Sequence, residues 1–203
     1  MPYRHACFLS YRHAQSEILV RFVQDLEAAL TDELALVSEL PVYTDTKRLQ
    51  GGDFFNEGIA RALCESVCMV VVFVPEYFHP DHPYCTREYL AMKHLETVRL
   101  QPGAQHGLII PVVLRGFDYL PEEVKGLRQV HDFSSFRLSD PSRRKNRALQ
   151  DLAHKISEYV RDRSHELSAA AHDCTDFQLP EPEVAVRAAR QLRVRRYFPG
   201  RNC

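Results

Sequence analysis

A run of eight apolar residues from Val67 to Val74, ended by Pro75, constrains this chain more than any other segment. Continuous apolar side chains indicate a strand that is buried on both faces, because a strand with one face in water would alternate apolar and polar residues. Strands of this kind lie at the centre of parallel sheets that helices cover on both sides. The run therefore predicts an α/β domain with this segment as its central strand.

The sequence around this run alternates between short apolar runs and helical periodicity, as parallel α/β sheets do. We predict one domain over residues 1–163. Its strands are predicted at 6–9, 42–43, 67–74, 108–114 and around 130–133, and its helices at 18–30, 59–63, 85–98 and 148–160.

The pattern loosens from about Ser164, and residues 164–203 are predicted to form a linker and a basic, partly helical C-terminal tail. Residues 181–203 carry six arginines against two glutamates, a net charge of +4, although the whole chain has a formal net charge of −1. A solvated basic helix explains this asymmetry. Docking to a partner or binding to a polyanion stays open as the alternative.

Charge and cysteine content limit the cellular setting. The near-neutral balance gives no reason to expect that the domain binds nucleic acid. The six cysteines show neither the spacing of a disulfide framework nor that of a zinc site, so we expect reduced thiols. The N-terminal segment lacks the apolar core of a signal peptide, and no apolar run approaches the ~18 residues of a membrane helix. We therefore expect a cytoplasmic protein without a membrane partner.

Three motifs follow one another along the predicted domain. Each is weak alone, but their order and spacing across residues 4–163 make the combination specific. They are Phe8-Leu9-Ser10-Tyr11-Arg12, then Tyr43-Thr44-Asp45 followed by Leu49-Gln50-Gly51-Gly52, and finally Tyr84-Cys85-Thr86-Arg87-Glu88-Tyr89 after the central strand.

On these motifs the chain resembles the TIR (Toll/interleukin-1 receptor) domain family, and in particular its stand-alone microbial members. The third motif is similar to the family's Trp-Cys-x-x-Glu-Leu box, with Tyr84 in place of Trp and Tyr89 in place of Leu. The resemblance implies a flavodoxin-like fold with a five-stranded parallel sheet in the order 2-1-3-4-5 and helices on both faces.

With that strand order, the topological switch point lies between the first and third strands, where open α/β sheets bind ligands at the carboxyl edge. Residues 10–12 leave the first strand at this point and residues 75–77 leave the third. The helix that carries Glu88 begins a few residues later. We therefore predict one crevice that collects an arginine, several aromatic rings and a carboxylate.

The resemblance implies cleavage of NAD⁺ at the bond between ribose and nicotinamide, with Glu88 as the catalytic residue. A carboxylate suits this chemistry because it stabilises an oxocarbenium-like ribosyl cation by charge and by hydrogen bonds to the ribose hydroxyls. NAD⁺ is then a substrate, and no cofactor is expected. An exposed helix carboxylate without catalytic function is the structural alternative for Glu88.

Further residues are predicted to bind the substrate. Ser10 is expected to hydrogen-bond the ribose, Arg12 to pair with the pyrophosphate, and Lys47 and Arg48 to close over the bound molecule. Alternatively, Arg12 pairs with a surface acid. The rings expected to stack on nicotinamide or adenine are those of Tyr11, Tyr43, Tyr77 and Tyr84, and packing under the adjacent loop is the alternative for Tyr77.

Other candidate sites have weak support. His79, Asp81 and His82 lack a fourth metal ligand, so we expect no metal site. Cys85 has no histidine placed by the sequence to activate it. Phe54 and Phe55, which follow the Gly51-Gly52 pair, are unusually apolar for their position and are predicted to mediate association between copies.

Two functions from different classes remain open at this stage. The first is an NAD⁺ glycohydrolase or cyclase, activated by self-assembly, that acts as a signalling or defence effector, for example in innate immunity or against phage. The second is a non-catalytic scaffold that works by association with other TIR domains.

Overall fold

The computed structural model describes residues 3–45, 54–126, 128–137, 147–168 and 173–192. The strands are β1 (His5–Tyr11), β2 (Val42–Thr44), β3 (Ser66–Phe73), β4 (Ile109–Val113) and β5 (His131–Asp132). The helices are α1 (Glu17–Leu34), α2 (Phe54–Cys64), α3 (Tyr84–Arg99), α4 (Glu122–Lys125), α5 (Arg147–Ser168) and α6 (Pro182–Leu192), and a 3-10 turn covers Phe117–Tyr119.

The five strands form one parallel sheet in the order β2-β1-β3-β4-β5. All eight residues of β3 are buried, which explains why an unbroken apolar run follows its first residue, Ser66. In the register of β1 and β3, Ser10 pairs with Val71 and Tyr11 with Val72, so the two strands end side by side. The predicted fold class and strand order are confirmed.

Helices cover both faces of the sheet. The crossover through α1 runs outward from β1 to β2, whereas those through α2 and α3 run in the opposite direction across the sheet. Because such crossovers are right-handed, α1 lies on one face and α2 and α3 lie on the other. The contacts agree, since α1 packs against α5 and α2 packs against α3.

The C-terminal region is held closely to the domain. Helix α5 continues to Ser168, so the predicted boundary after residue 163 falls inside a helix. Helix α6 packs against α3. Its arginine side chains therefore lie on the side that faces away from α3. Residues 193–203, which carry four of the six tail arginines, lie outside the described residues. Within residues 173–192, the buried side chains are those of Cys174, Leu179, Ala185, Ala189 and Leu192.

The expectation of uniformly reduced thiols is wrong for one pair of cysteines. A disulfide joins Cys64, the last residue of α2, to Cys174, at a sequence separation of 110. Sequence spacing could not reveal this pair, because only the return of the chain over α2 brings the two residues together. Cys7, Cys68 and Cys85 are buried and take no part in a disulfide. In the part of the chain that the structure describes, no helix has the length and apolarity needed to cross a bilayer.

Candidate functional site

A buried polar cluster lies at the carboxyl edge of the sheet, where β1 and β3 end. Ser10 is near the end of β1, Tyr77 is in the turn after β3, and Glu88 is one turn into α3. This is the topological switch point, because the chain leaves β1 toward β2 on one side and later returns through β3 on the other. Glu88 is only 1% exposed, and the other two residues are equally buried.

A short chain of hydrogen bonds connects these three side chains. Ser10 Oγ donates to Glu88 Oε2 over 2.6 Å. Ser10 Oγ also lies 2.6 Å from the phenolic oxygen of Tyr77. A serine hydroxyl has one hydrogen, which Glu88 receives here, so Tyr77 is the donor of the second bond. The resulting order, Tyr77 to Ser10 to Glu88, holds the carboxylate in one orientation relative to the end of β1.

The turn after β3 explains why the Tyr77 phenol reaches Ser10. The backbone N–H of Tyr77 donates to the carbonyl of Val74 over 2.9 Å, which closes a tight turn after Pro75. The ring of Tyr77 meets that of Phe78 edge-on at 4.9 Å between centroids. Phe78 in turn meets Tyr89 of α3 in the same manner at 5.2 Å. These rings form an apolar wall behind the cluster, and only the Tyr77 oxygen takes part in the polar network.

We expect Tyr77→Phe to lower the free energy of unfolding by about 1 kcal/mol, the usual net contribution of one buried hydrogen bond. The substitution removes the donor to Ser10 and leaves the ring packing in place. Urea denaturation would report a lower midpoint at an unchanged m-value. An unchanged midpoint would show that the bond to Ser10 contributes nothing to stability.

Arg12 lies at the outer side of the same edge and already has an acidic neighbour. Its Nη1 is 3.6 Å from Glu76 Oε2, and Nε2 of His79 is 3.4 Å from the same oxygen. Nδ1 of His79 accepts the backbone N–H of Asp81 over 3.2 Å. The ion pair with a surface acid, which the sequence left open for Arg12, is therefore present, and a bound pyrophosphate would compete with Glu76 for the guanidinium.

The remaining predicted substrate-binding residues are more dispersed. Tyr11 stacks on His13 at 4.5 Å between ring centroids. Tyr43 stacks on Phe8 at 5.2 Å, on the β2 side of β1 and away from β3. Tyr84 is 48% exposed at the start of α3. Outside the described part of the chain lie Lys47 and Arg48, together with the side chains of Phe54 and Phe55.

Sequence reasoning assigned no role to Arg87, the residue before Glu88. Its side chain is buried, with Nε donating to the carbonyl of Pro180 over 2.7 Å and Nη1 donating to Asn56 Oδ1 over 3.0 Å. It therefore links the start of α3 both to α2 and to the C-terminal segment. Its position beside Glu88 was the only signal in the sequence, and nothing in the pattern showed that the residue is buried.

Comparison with known proteins identifies the domain. The family model for the TIR domain matches residues 7–153. The chain belongs to the TIR-domain family. No curated protein matches it significantly. Among solved structures, it is similar to the TIR domains of the activated Roq1 resistosome, which directly recognizes the pathogen effector XopQ. That similarity has 18% identity over 91% of this chain and 96% of the other, with a TM-score of 0.41.

The family match covers this TIR domain from β1 into α5 and leaves out the C-terminal segment. The cluster of Ser10, Tyr77 and Glu88 lies entirely within the matched region. Pro180, which binds Arg87 from the C-terminal side, and Cys174, the second cysteine of the disulfide, lie beyond it.

Proposed function

We propose that this TIR domain is an NAD⁺ glycohydrolase or cyclase. One observation supports the proposal above the others: Glu88 is held at the switch point of the sheet by Ser10, which in turn accepts a hydrogen bond from Tyr77. A carboxylate fixed by hydrogen bonds provides a preorganised negative charge, and such a charge lowers the energy of a cationic transition state.

The proposed reaction breaks the bond between ribosyl C1′ and the nicotinamide nitrogen. The electron pair of that bond goes to the ring, so nicotinamide leaves as a neutral molecule and needs no strong general acid. The ribosyl cation that remains is stabilised by Glu88. Water then adds at C1′ and loses a proton to give ADP-ribose, or a nucleophilic atom of the same molecule adds there to give a cyclic or isomeric product.

Access to Glu88 requires a conformational step, because its side chain is almost fully buried in this structure. A binding-competent state with an open crevice would be a minor population that self-assembly of copies could favour, provided that the contacts between copies are stronger in the open form. We therefore propose an effector that is activated by association between TIR domains, in signalling or defence.

A non-catalytic scaffold is the second candidate, and the same burial favours it. A hydrogen-bonded cluster that is closed to solvent also serves to hold β1, the turn after β3 and α3 together, without any turnover. In this alternative, association with other TIR domains is the whole function.

The test is to incubate concentrated, purified protein with NAD⁺, with and without a crowding agent, and to measure free nicotinamide by chromatography. We expect release that rises more steeply than linearly with protein concentration, because activation needs association. Mass spectrometry of the second product separates ADP-ribose from a cyclic form, which lacks the added water. Self-association by light scattering without nicotinamide release at any concentration would reject the enzyme and support the scaffold.

The proposed setting is the cytoplasm. Disulfides are uncommon there because thiol-based reductants keep cysteines reduced. The Cys64–Cys174 bond would therefore depend on the redox state of its surroundings.

A further inference from the structure

Arg87 is a buried cation whose visible partners are neutral. It is 7% exposed, and within the described part of the chain its guanidinium donates to the carbonyl of Pro180 and to the amide oxygen of Asn56. Burial of a charge is costly unless hydrogen-bonding groups are held in place around it. The acceptors on α2 and on the C-terminal segment must therefore stay fixed relative to α3 for Arg87 to remain where it is.

Residues 173–192 form what we call the strap, a segment that crosses from the end of α2 to the outer face of α3. Cys174 ties it covalently to Cys64 at the end of α2. Six residues later, the carbonyl of Pro180 accepts a hydrogen bond from Nε of Arg87. The α6 part of the strap then packs on α3. The strap is thus attached covalently at Cys174, by a hydrogen bond at Pro180 and by packing along α6.

These links form a closed ring. Starting from Asn56 in the first turn of α2, the ring runs along α2 to Cys64, through the disulfide to Cys174, along the strap to Pro180, and through Arg87 back to Asn56. The ring closes through the guanidinium of Arg87, whose side chain extends from the first turn of α3, and Glu88 is the next residue after Arg87. This ring gives a continuous path from the disulfide, through the side chain of Arg87, to the helix that carries the carboxylate.

We propose that Arg87 is a positioning residue through which the strap sets the placement of Glu88, so that the Cys64–Cys174 disulfide controls the turnover of NAD⁺. This inference rests on the proposed function. Glu88 Oε2 lies 2.6 Å from Ser10 Oγ, and this distance depends on the position of the first turns of α3. A displacement of about 1 Å in a reacting group lowers rates by up to about 100-fold. Freeing the strap therefore weakens catalysis without changing any group that touches the substrate.

The chemical step that frees the strap is reduction by a dithiol. One thiolate of the dithiol attacks a sulfur of the Cys64–Cys174 bond, and its second thiolate resolves the mixed disulfide. Two electrons and two protons pass to the protein, which gains two thiols, and the dithiol becomes a cyclic disulfide. The hydrogen bond from Arg87, the packing of α6 and the burial of Leu179 then remain to hold the strap.

The first arm of the test measures kcat and KM for NAD⁺ before and after treatment with dithiothreitol. We expect reduction to lower kcat of the wild-type protein by about 10-fold with KM within about 2-fold, because a displaced Glu88 loses stabilisation of the transition state and not of the bound substrate. The variant Arg87→Gln should already have the low kcat and should not respond to dithiothreitol. A kcat that rises on reduction would overturn the inference, since the strap would then inhibit the site.

Two further variants make this arm specific. Asn56→Ala removes one acceptor from an exposed residue and should give an intermediate kcat, which keeps the test valid if Arg87→Gln folds poorly. Arg61→Gln is the matched control, because Arg61 is an exposed arginine of α2 that pairs with Glu65, and it should behave as the wild type. If reduction lowered kcat of Arg87→Gln by the same factor as in the wild type, the two losses would be independent, and the disulfide would not act through Arg87.

The second arm needs no turnover, and it separates this inference from the proposed function. Hydrogen exchange of the backbone amides of residues 87–92 should become about 10-fold faster on reduction in the wild type and in Arg61→Gln, and should change no further in Arg87→Gln. Unchanged exchange in the wild type rejects the inference, whatever the enzyme does. Faster exchange without nicotinamide release would support the structural link between the disulfide and α3. It would reject the proposed enzymatic function alone.

Discussion

Glu88→Gln is expected to lower nicotinamide release at least ~100-fold, the scale seen when a preorganised electrostatic group is removed. The glutamine side chain has nearly the same shape and can still accept a hydrogen bond from Ser10 through its amide oxygen. It carries no negative charge, so the ribosyl cation loses its main stabilisation. The measurement is kcat at saturating NAD⁺, with the melting temperature as a check that the variant is folded.

Two companion variants define what that loss means. Glu158→Gln is the control, because this residue is a half-exposed glutamate of α5, on the face of the sheet opposite α3, and it should keep wild-type turnover. Glu88→Ala also removes the side chain from a buried site, so we expect an equal loss of activity and a larger loss of stability. If both Glu88 variants retained turnover, the charge at this position would not be used, and Glu76 beside Arg12 would be the next candidate.

Reduction of the Cys64–Cys174 disulfide is expected to lower the free energy of unfolding by about 2–4 kcal/mol. The bond closes a long loop, with a sequence separation of 110, and a cross-link of that span removes much of the conformational entropy of the unfolded chain. The measurement is urea denaturation with and without dithiothreitol, compared at the midpoint.

The control for this prediction is the double variant Cys64→Ser/Cys174→Ser, which should show the lower stability in both conditions and no response to dithiothreitol. The other described cysteines are buried and not disulfide-bonded, so reduction has no further disulfide to act on among them. A wild-type midpoint that did not move on reduction would mean that the strap stays in place without its covalent link.

The elements that the sequence predicted well are those whose burial leaves a regular pattern. β3 could be recognised because both of its faces are covered, and α1 because one side of the helix is buried and its apolar residues recur at helical spacing. Helix α4 has four residues and β5 has two, which is too short for any period to show. Their positions follow from the packing of the whole domain.

The site was predictable in part. Strand order and motif placed Ser10 and Glu88 at one edge of the sheet, and the structure has them in hydrogen-bond contact, whereas their roles toward a substrate stay predictions. The orientation of Tyr77 was not predictable, because a tyrosine in a turn can direct its ring either outward or inward. Here the neighbouring rings of Phe73 and Phe78 favour the buried ring, which leaves its oxygen for Ser10.

The attachment of the C-terminal segment to the domain was the feature that the sequence predicted least well. Its basic composition indicated a solvated helix, but the small residues Ala185 and Ala189 let α6 approach α3 closely, and both are fully buried. Such a contact has no local signature, since its partner surface lies about a hundred residues earlier in the chain.

The long separation between the two bonded cysteines also has a consequence for synthesis. Chains are made from the N-terminus and fold as they emerge, so α2 and α3 are present well before Cys174 leaves the ribosome. A nascent or prematurely terminated product would thus carry the complete sheet and Glu88 but no second cysteine. Covalent closure is available only to polypeptides whose translation has passed that point.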